Sequence, residues 1–177
     1  MNPLGPLHGK SFATSLSPWI ITLEGLAPFR TSSPSRNPDI ELPAYLQDPD
    51  PKPTFDFHLE ATVQFPGIPE PSSICKTSFS SIYWTLRDLV AQQTINGCNL
   101  RTGDLLATGT ISGSTIESHG CLMEVAAKGG VRLMGAKGEV GRRIFLEDGD
   151  TVALTATAGK GVGFGDCVGT IKEAVGS

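Results

Sequence analysis

The sequence predicts an α+β domain built mainly of antiparallel β structure, and three observations predict it. From Thr54 to Gln64 apolar and polar residues alternate strictly, as in a half-buried strand. From Ser78 to Gln93 apolar residues recur at helical spacing. From Leu105 onward short β-rich runs are punctuated by glycine turns.

Composition agrees with one soluble globular domain of ordinary polarity: 177 residues, a formal net charge of -4 and a hydrophobic fraction of 39%. A chain of this length has enough surface to bury for a proper core. There is no lysine or arginine run, so neither nucleic acid nor an anionic membrane surface is an expected partner. The longest apolar stretch, Trp19 to Leu23, is far short of a bilayer span, and the N-terminus lacks a secretory pattern. The expectation is a cytoplasmic protein. Cys75, Cys98, Cys121 and Cys167 lie far apart, without CxxC pairing, and are expected as reduced, partly buried thiols. With three scattered histidines they give no structural-zinc spacing.

Taken in order, Met1-Asn2-Pro3-Leu4-Gly5-Pro6 opens in turn chemistry with no leading element, as a cut edge would. Ile20, Ile21 and Leu23 suggest a strand. Residues 27–53, in which prolines and polar residues dominate, predict a long extended loop. In the 54–64 strand Phe55, Phe57, Leu59, Ala61 and Val63 share one face, against Asp56, His58, Glu60 and Thr62 on the other. The helix carries Phe79, Ile82, Tyr83, Leu86, Leu89 and Val90, and Asn96-Gly97 suits its exit. The later β runs are Leu105–Ile111, Leu122–Ala127, Ile144–Leu146, Thr151–Thr157 and Val168–Ile171, with Asp148-Gly149-Asp150 as a turn. No solenoid or propeller repeat is present.

Three segments carry possible chemistry. Gly9-Lys10-Ser11 resembles the end of a phosphate loop, but the required upstream glycine falls at Leu4, with Gly5 one place off, so the match fails. In the run from Asn99 to Gly113, glycines interrupt a strand-like pattern where a ligand or backbone could approach. The same run also reads as a sheet-edge turn in which Thr110 and Ser112 bond local backbone. Glu124 stands within Cys121-Leu122-Met123-Glu124-Val125-Ala126-Ala127, where its neighbours predict burial and a buried carboxylate needs a partner. It is either a general acid/base or the orienter of a histidine, or else one of an alternating solvent-facing pair with Leu122; the residues alone leave both open.

The stretch Pro3-Leu4-Gly5-Pro6-Leu7-His8-Gly9-Lys10-Ser11-Phe12-Ala13-Thr14-Ser15-Leu16-Ser17-Pro18-Trp19 closely resembles the PLGPFxGKSFxTxxSPW signature of the fumarylacetoacetase family. Further blocks are similar in the same order: Cys75-Lys76, Tyr83-Trp84-Thr85, Asn96-Gly97-Cys98-Asn99-Leu100-Arg101, Gly103-Asp104-Leu105-Leu106, Gly109-Thr110-Ile111-Ser112-Gly113, and Gly163-Phe164-Gly165 with Cys167 and Gly169. Separated blocks in order are far more specific than any one short motif.

The resemblance implies a mixed β-sandwich roll, incomplete in this chain, with residues 1–177 as the C-terminal part of a catalytic domain. It implies a homodimer, a divalent cation (Mg2+ or Ca2+) and hydrolysis of a small-molecule diketo acid, 4-fumarylacetoacetate, to fumarate and acetoacetate in phenylalanine and tyrosine breakdown. Residue by residue, Lys10 matches a lysine that stabilises the leaving group and lies beside the metal, and Thr14 matches a threonine of the metal environment. Thr110 matches a substrate-contacting threonine, and Glu124 the glutamate that orients the catalytic histidine.

The departures from the family pattern matter as well. The family's catalytic histidine, its acidic metal ligands, and an arginine and a glutamine that assist the lysine all precede the block that opens this chain. His8, His58 and His119 do not take the histidine's place, and Ala13 replaces a usual glycine. Metal binding by this chain is therefore expected to be poor. Two alternatives stay open: a non-catalytic remnant that binds a partner subunit, and a relative that cleaves acylpyruvates or decarboxylates oxaloacetate.

Overall fold

The alternating run from residue 54 does form strands, but in two pieces, because the chain leaves the ladder at Asp56 and Phe57. In this computed structural model, which describes residues 13–135 and 138–175, the first piece is β2 (Thr54–Phe55), paired with β1 (Arg30–Thr31). The second, β3 (His58–Gln64), is an inner strand of a four-stranded antiparallel sheet. Its neighbours are β4 (Ser72–Ser78) on one side and β7 (Thr151–Ala158) on the other, and β7 continues to β8 (Val162–Thr170). A separate hairpin joins β5 (Val131–Gly135) to β6 (Gly138–Arg143). The described chain is thus mainly antiparallel sheet with few helices, as its sequence predicts.

Phe57, Leu59 and Val63, set two and four residues apart, feed two apolar clusters at opposite ends of β3. Phe57 stacks on Phe79 with ring centroids 4.4 Å apart and leans on Phe164 at 5.0 Å, in a cluster with Leu26 and Ala158. Val63, only 1% exposed, joins Phe65, Val125, Val131 and Leu133. Burying each such side chain stabilises the fold by roughly 1.5–3 kcal/mol. The ladder between β3 and β4 slips at Ala61 and Thr62, so Ile74 and Cys75, adjacent in sequence, both turn inward.

Several elements differ from their sequence-based expectation. The strand expected at Ile20–Leu23 gives way to the short helix α1 (Leu23–Leu26), which Thr22 caps by accepting from the Gly25 amide. The helix expected from Ser78 begins only at Leu86: α2 (Leu86–Thr94) starts in a box in which Thr85 and Asp88 cap each other, and this fixes the first turn against extension backwards. Residues 79–81 are a single 3-10 turn after β4, a strand whose serines hide its alternation. Gly97, at φ 87°, closes the exit of α2 as expected, its amide donating to Thr94.

Leu105–Ile111 is no strand, because no partner among the described residues lines up with its backbone; Leu105 is 67% exposed. Leu122–Ala127 is not a strand either, but the helix α3 (Leu122–Ala126). At Ile144–Leu146 the chain bends away after β6, and Asp150, fully buried, ties the following turn by accepting from the Glu147 amide and Arg143. No helix among the described residues is long and apolar enough to cross a membrane.

Residues 32–53 form a strap across α2. Arg36 reaches the buried carboxylate of Asp88 at 2.5 Å and lies over the Tyr83 and Trp84 rings. Arg87 meets Asp48 and Asp50, both at 2.9 Å, while the Tyr45 hydroxyl bonds Gln92 at 3.0 Å. The Asp50 carboxyl is held below its usual range, first by the Lys52 amide and then by Arg30 and Arg87.

Candidate functional site

Helix α3 places Glu124. Leu122 and Val125, three apart, dock on the Val63 cluster, and this pairing selects a helix over a strand. The helix stops at Gly129 and Gly130, both at positive φ, whose amides return to Ala126 and Val125. A Cβ at Gly130 would stand 2.4 Å from the Arg143 carbonyl oxygen, so this exit also requires glycine for close approach to the β5–β6 hairpin. With Leu122 and Val125 turned inward, Glu124 sits half-buried at the third helical position.

There it meets the loop of residues 105–120. The Ser112 hydroxyl donates to Glu124 Oε2 at 2.8 Å and accepts from the Gly120 amide at 3.1 Å. A second crosslink runs from the Gly113 amide to the Ser118 carbonyl at 2.9 Å. The two limbs of the loop touch only because residue 120 is glycine: a Cβ there would lie 2.4 Å from the Ile111 carbonyl oxygen and 3.0 Å from Thr110 Cγ2. Thr110 therefore stands beside Gly120, one residue from Ile111, which anchors the loop on the Phe57 cluster.

Two groups sense this site. Cys75 is a free thiol pushed above its usual value, first by burial and then by the charge of Glu124. Thr77 Oγ1 is buried without a partner, 3.4 Å from where a Cβ on Gly113 would stand. Beside it opens a groove of about 400 Å3 lined by His58, Glu60, Lys76, Thr77, Gly113 and Ser118.

Residues 1–172 match the sequence model described as Fumarylacetoacetate (FAA) hydrolase C-terminal. The chain belongs to the fumarylacetoacetate hydrolase family. Proteins named fumarylacetoacetase are similar to it nearly end to end: that of Oryza sativa subsp. japonica is 44% identical over 98% of this chain and 40% of its own length. Those of Bos taurus and Homo sapiens are 41% and 40% identical over 98% of this chain, and 41% of each relative is covered. The chain thus spans about 40% of the length of these curated relatives.

Of the four positions that resemblance to this hydrolase family singles out, the structure brings Thr110 and Glu124 into one neighbourhood through Ser112 and Gly120. Thr14 lies exposed in the extended segment that runs along β8, where the Ser17 hydroxyl bonds the Phe164 carbonyl at 2.9 Å and Trp19 covers Gly165. No hydrogen bond joins it to Thr110 or Glu124 among the described residues. Lys10 lies outside the described residues, as do His8 and the Gly9-Lys10-Ser11 segment. His58 is exposed on β3, and half-buried His119 has a buried Nδ1 without a partner. Neither is hydrogen-bonded to Glu124.

For Ser112 the sequence suggested only a bond to local backbone. Its hydroxyl serves a carboxylate twelve residues away as well as the local backbone. The only signal for it was the dense Gly-Thr-Ile-Ser-Gly pattern itself, which does not say what the serine faces. For Glu124, the Leu122–Val125 spacing ahead of Gly129-Gly130 was a legible helix signal that the β-like composition of the run concealed.

Proposed function

We propose that this chain supplies the C-terminal part of a fumarylacetoacetase site, which hydrolyses the carbon–carbon bond of 4-fumarylacetoacetate to fumarate and acetoacetate in a homodimer of mixed β-sandwich-roll fold. The observation that carries the reading is the fixed carboxylate of Glu124 beside the Thr110 loop, two positions that the sequence resemblance matches to an orienting glutamate and a substrate-contacting threonine.

In that reaction water adds to a ketone carbonyl and loses a proton. The bond to the acetoacetate carbon breaks with its electron pair on that carbon, which then takes up a proton. Glu124, oriented by a hydroxyl donor, is suited to align the imidazole that accepts the water proton. In this reading Thr110 binds a substrate oxygen and Lys10 carries the cation that stabilises the departing carbanion.

A divalent cation, Mg2+ or Ca2+, belongs to the reading for the whole enzyme. Among the described residues no three histidine, cysteine, aspartate or glutamate side chains come together to hold one, and hard cations need several oxygen donors. Thr14, the one described position assigned to the metal environment, offers a single hydroxyl, so the described residues do not fit the cation, and the steps above run through side chains alone.

The test is loss of diketone absorbance when the purified protein meets fumarylacetoacetate with Mg2+ or Ca2+, combined with a native mass measurement. Turnover that disappears in Glu124→Ala and Lys10→Ala supports the reading. Absence of turnover in a cleanly folded protein favours a non-catalytic subunit-binding role.

A further inference from the structure

We infer that Ser112 is a positioning residue for Glu124: its hydroxyl sets where the carboxylate points and so couples the Thr110 loop to helix α3. The inference rests on the proposed role of Glu124 and deepens it.

The geometry leaves the hydroxyl little choice. The Gly120 amide donates to Ser112 Oγ at 3.1 Å, which occupies an acceptor lone pair and turns the hydroxyl proton to the remaining neighbour, Glu124 Oε2 at 2.8 Å. A hydroxyl donating to a carboxylate is a charge-assisted bond, stronger than a neutral one and more selective for one orientation. Ser112 cannot drift, because Gly113 is pinned to Ser118 on one side and Ile111 to the Phe57 cluster on the other. Gly120 cannot drift either, since its open space is filled by the Ile111 carbonyl and Thr110 Cγ2. The serine is thus the rigid end of the pair. Glu124, on a five-residue helix with a half-buried side chain, is the end that would wander without it.

A serine that merely closed a turn would contribute stability and nothing else. A serine that aims the carboxylate also controls the field that Glu124 exerts on Cys75, and Cys75 supplies a readout independent of turnover. If Ser112 is removed, the freed carboxylate retreats from the thiolate as it forms, and the thiol titrates nearer its ordinary value.

The experiment follows the Cβ resonance of 13C-labelled cysteine across alkaline pH in the full chain, with Cys75 identified by its absence in Cys75→Ser. Glu124→Gln defines the shift when the charge is gone. Ser112→Ala is expected to titrate lower than wild type, in the direction of Glu124→Gln, and Ser112→Thr, which keeps the hydroxyl, to return toward wild type. Where hydrolysis is measurable, Ser112→Ala is expected to lose about tenfold or more in kcat with KM little changed, the scale on which outer partners of active groups act. A folded Ser112→Ala whose Cys75 titrates as in wild type overturns the inference. Full hydrolysis by Glu124→Gln would instead remove the catalytic reading of Glu124 and leave the positioning geometry standing.

Discussion

The strap of residues 32–53 and the loop of residues 105–120 both cross the molecule with almost no regular structure, yet they are fastened by opposite means. The strap is held by side chains: Arg36 on Asp88, Arg87 on Asp48 and Asp50, and Tyr45 on Gln92. The loop is held by backbone, through Gly113 to Ser118 and the close approach of Gly120 to Ile111, with one hydroxyl reaching out to Glu124. A charge latch tolerates backbone variety and fails when a charge is lost. A glycine latch carries no charge of its own and fails when a methyl group is added. A loop of the second kind can hold one carboxylate in a fixed setting without surrounding it with competing ions.

The sharpest break in this comparison is at Asp88, which is 3% exposed and accepts from Arg36 and from the Thr85 amide and hydroxyl. Asp88→Ala leaves these donors unmatched at once. We expect a loss of about 3–5 kcal/mol in urea unfolding, the cost of breaking a buried pair, together with proteolytic opening of residues 32–53 and no change in the 105–120 loop. Unchanged protease resistance of the strap would show that its other contacts suffice.

Gly120→Ala is the matching break on the other side. The added methyl must displace the Ile111 carbonyl, at an expected cost of about 1–3 kcal/mol, and Ser112 should lose its Gly120 donor. Hydrogen exchange is expected to rise at residues 110–120 and to stay level in the strap; an even rise across both would mean that the two latches are coupled.

Thr85→Ala tests the cap of α2 apart from the ion pair. It removes one hydroxyl from the capping box and should cost about 1 kcal/mol, read as a shift of the urea midpoint at constant slope.

The smallest effect concerns pH. The folded carboxyl of Asp50 titrates below its ordinary value of 3.8, so its contribution is complete above that value and disappears as the pH falls through the lower folded one. The amides of Asp50 and Lys52 are expected to exchange faster, relative to their intrinsic rates, only in that acid window, and Asp50→Asn should abolish the window. An onset near neutral pH would point to a different group.

Much of this was legible in the chain. The alternation from Thr54 to Gln64 and the run Thr151–Thr157 mark β3 and β7, because period-two patterning records which face a strand buries. The Thr85-x-x-Asp88 spacing was a sharper start signal for α2 than the apolar periodicity that suggested Ser78, since a capping box satisfies specific amides while periodicity reports only a face. Leu105–Ile111 misled for the converse reason: β-like composition does not supply a partner strand.

The sequence by itself determined the family, through blocks that keep their order whatever the chain folds against, and it singled out Thr110 and Glu124 as positions of interest. Only the tertiary structure decided that Glu124 rides on a helix, that Ser112 faces it, and that Gly120 is the contact by which Thr110 comes alongside. The physical reason is distance along the chain. Periodicity and capping are written within a few residues, whereas the partner of a hydroxyl is set by packing the Val63 and Phe57 clusters against β3, and no local pattern records that packing.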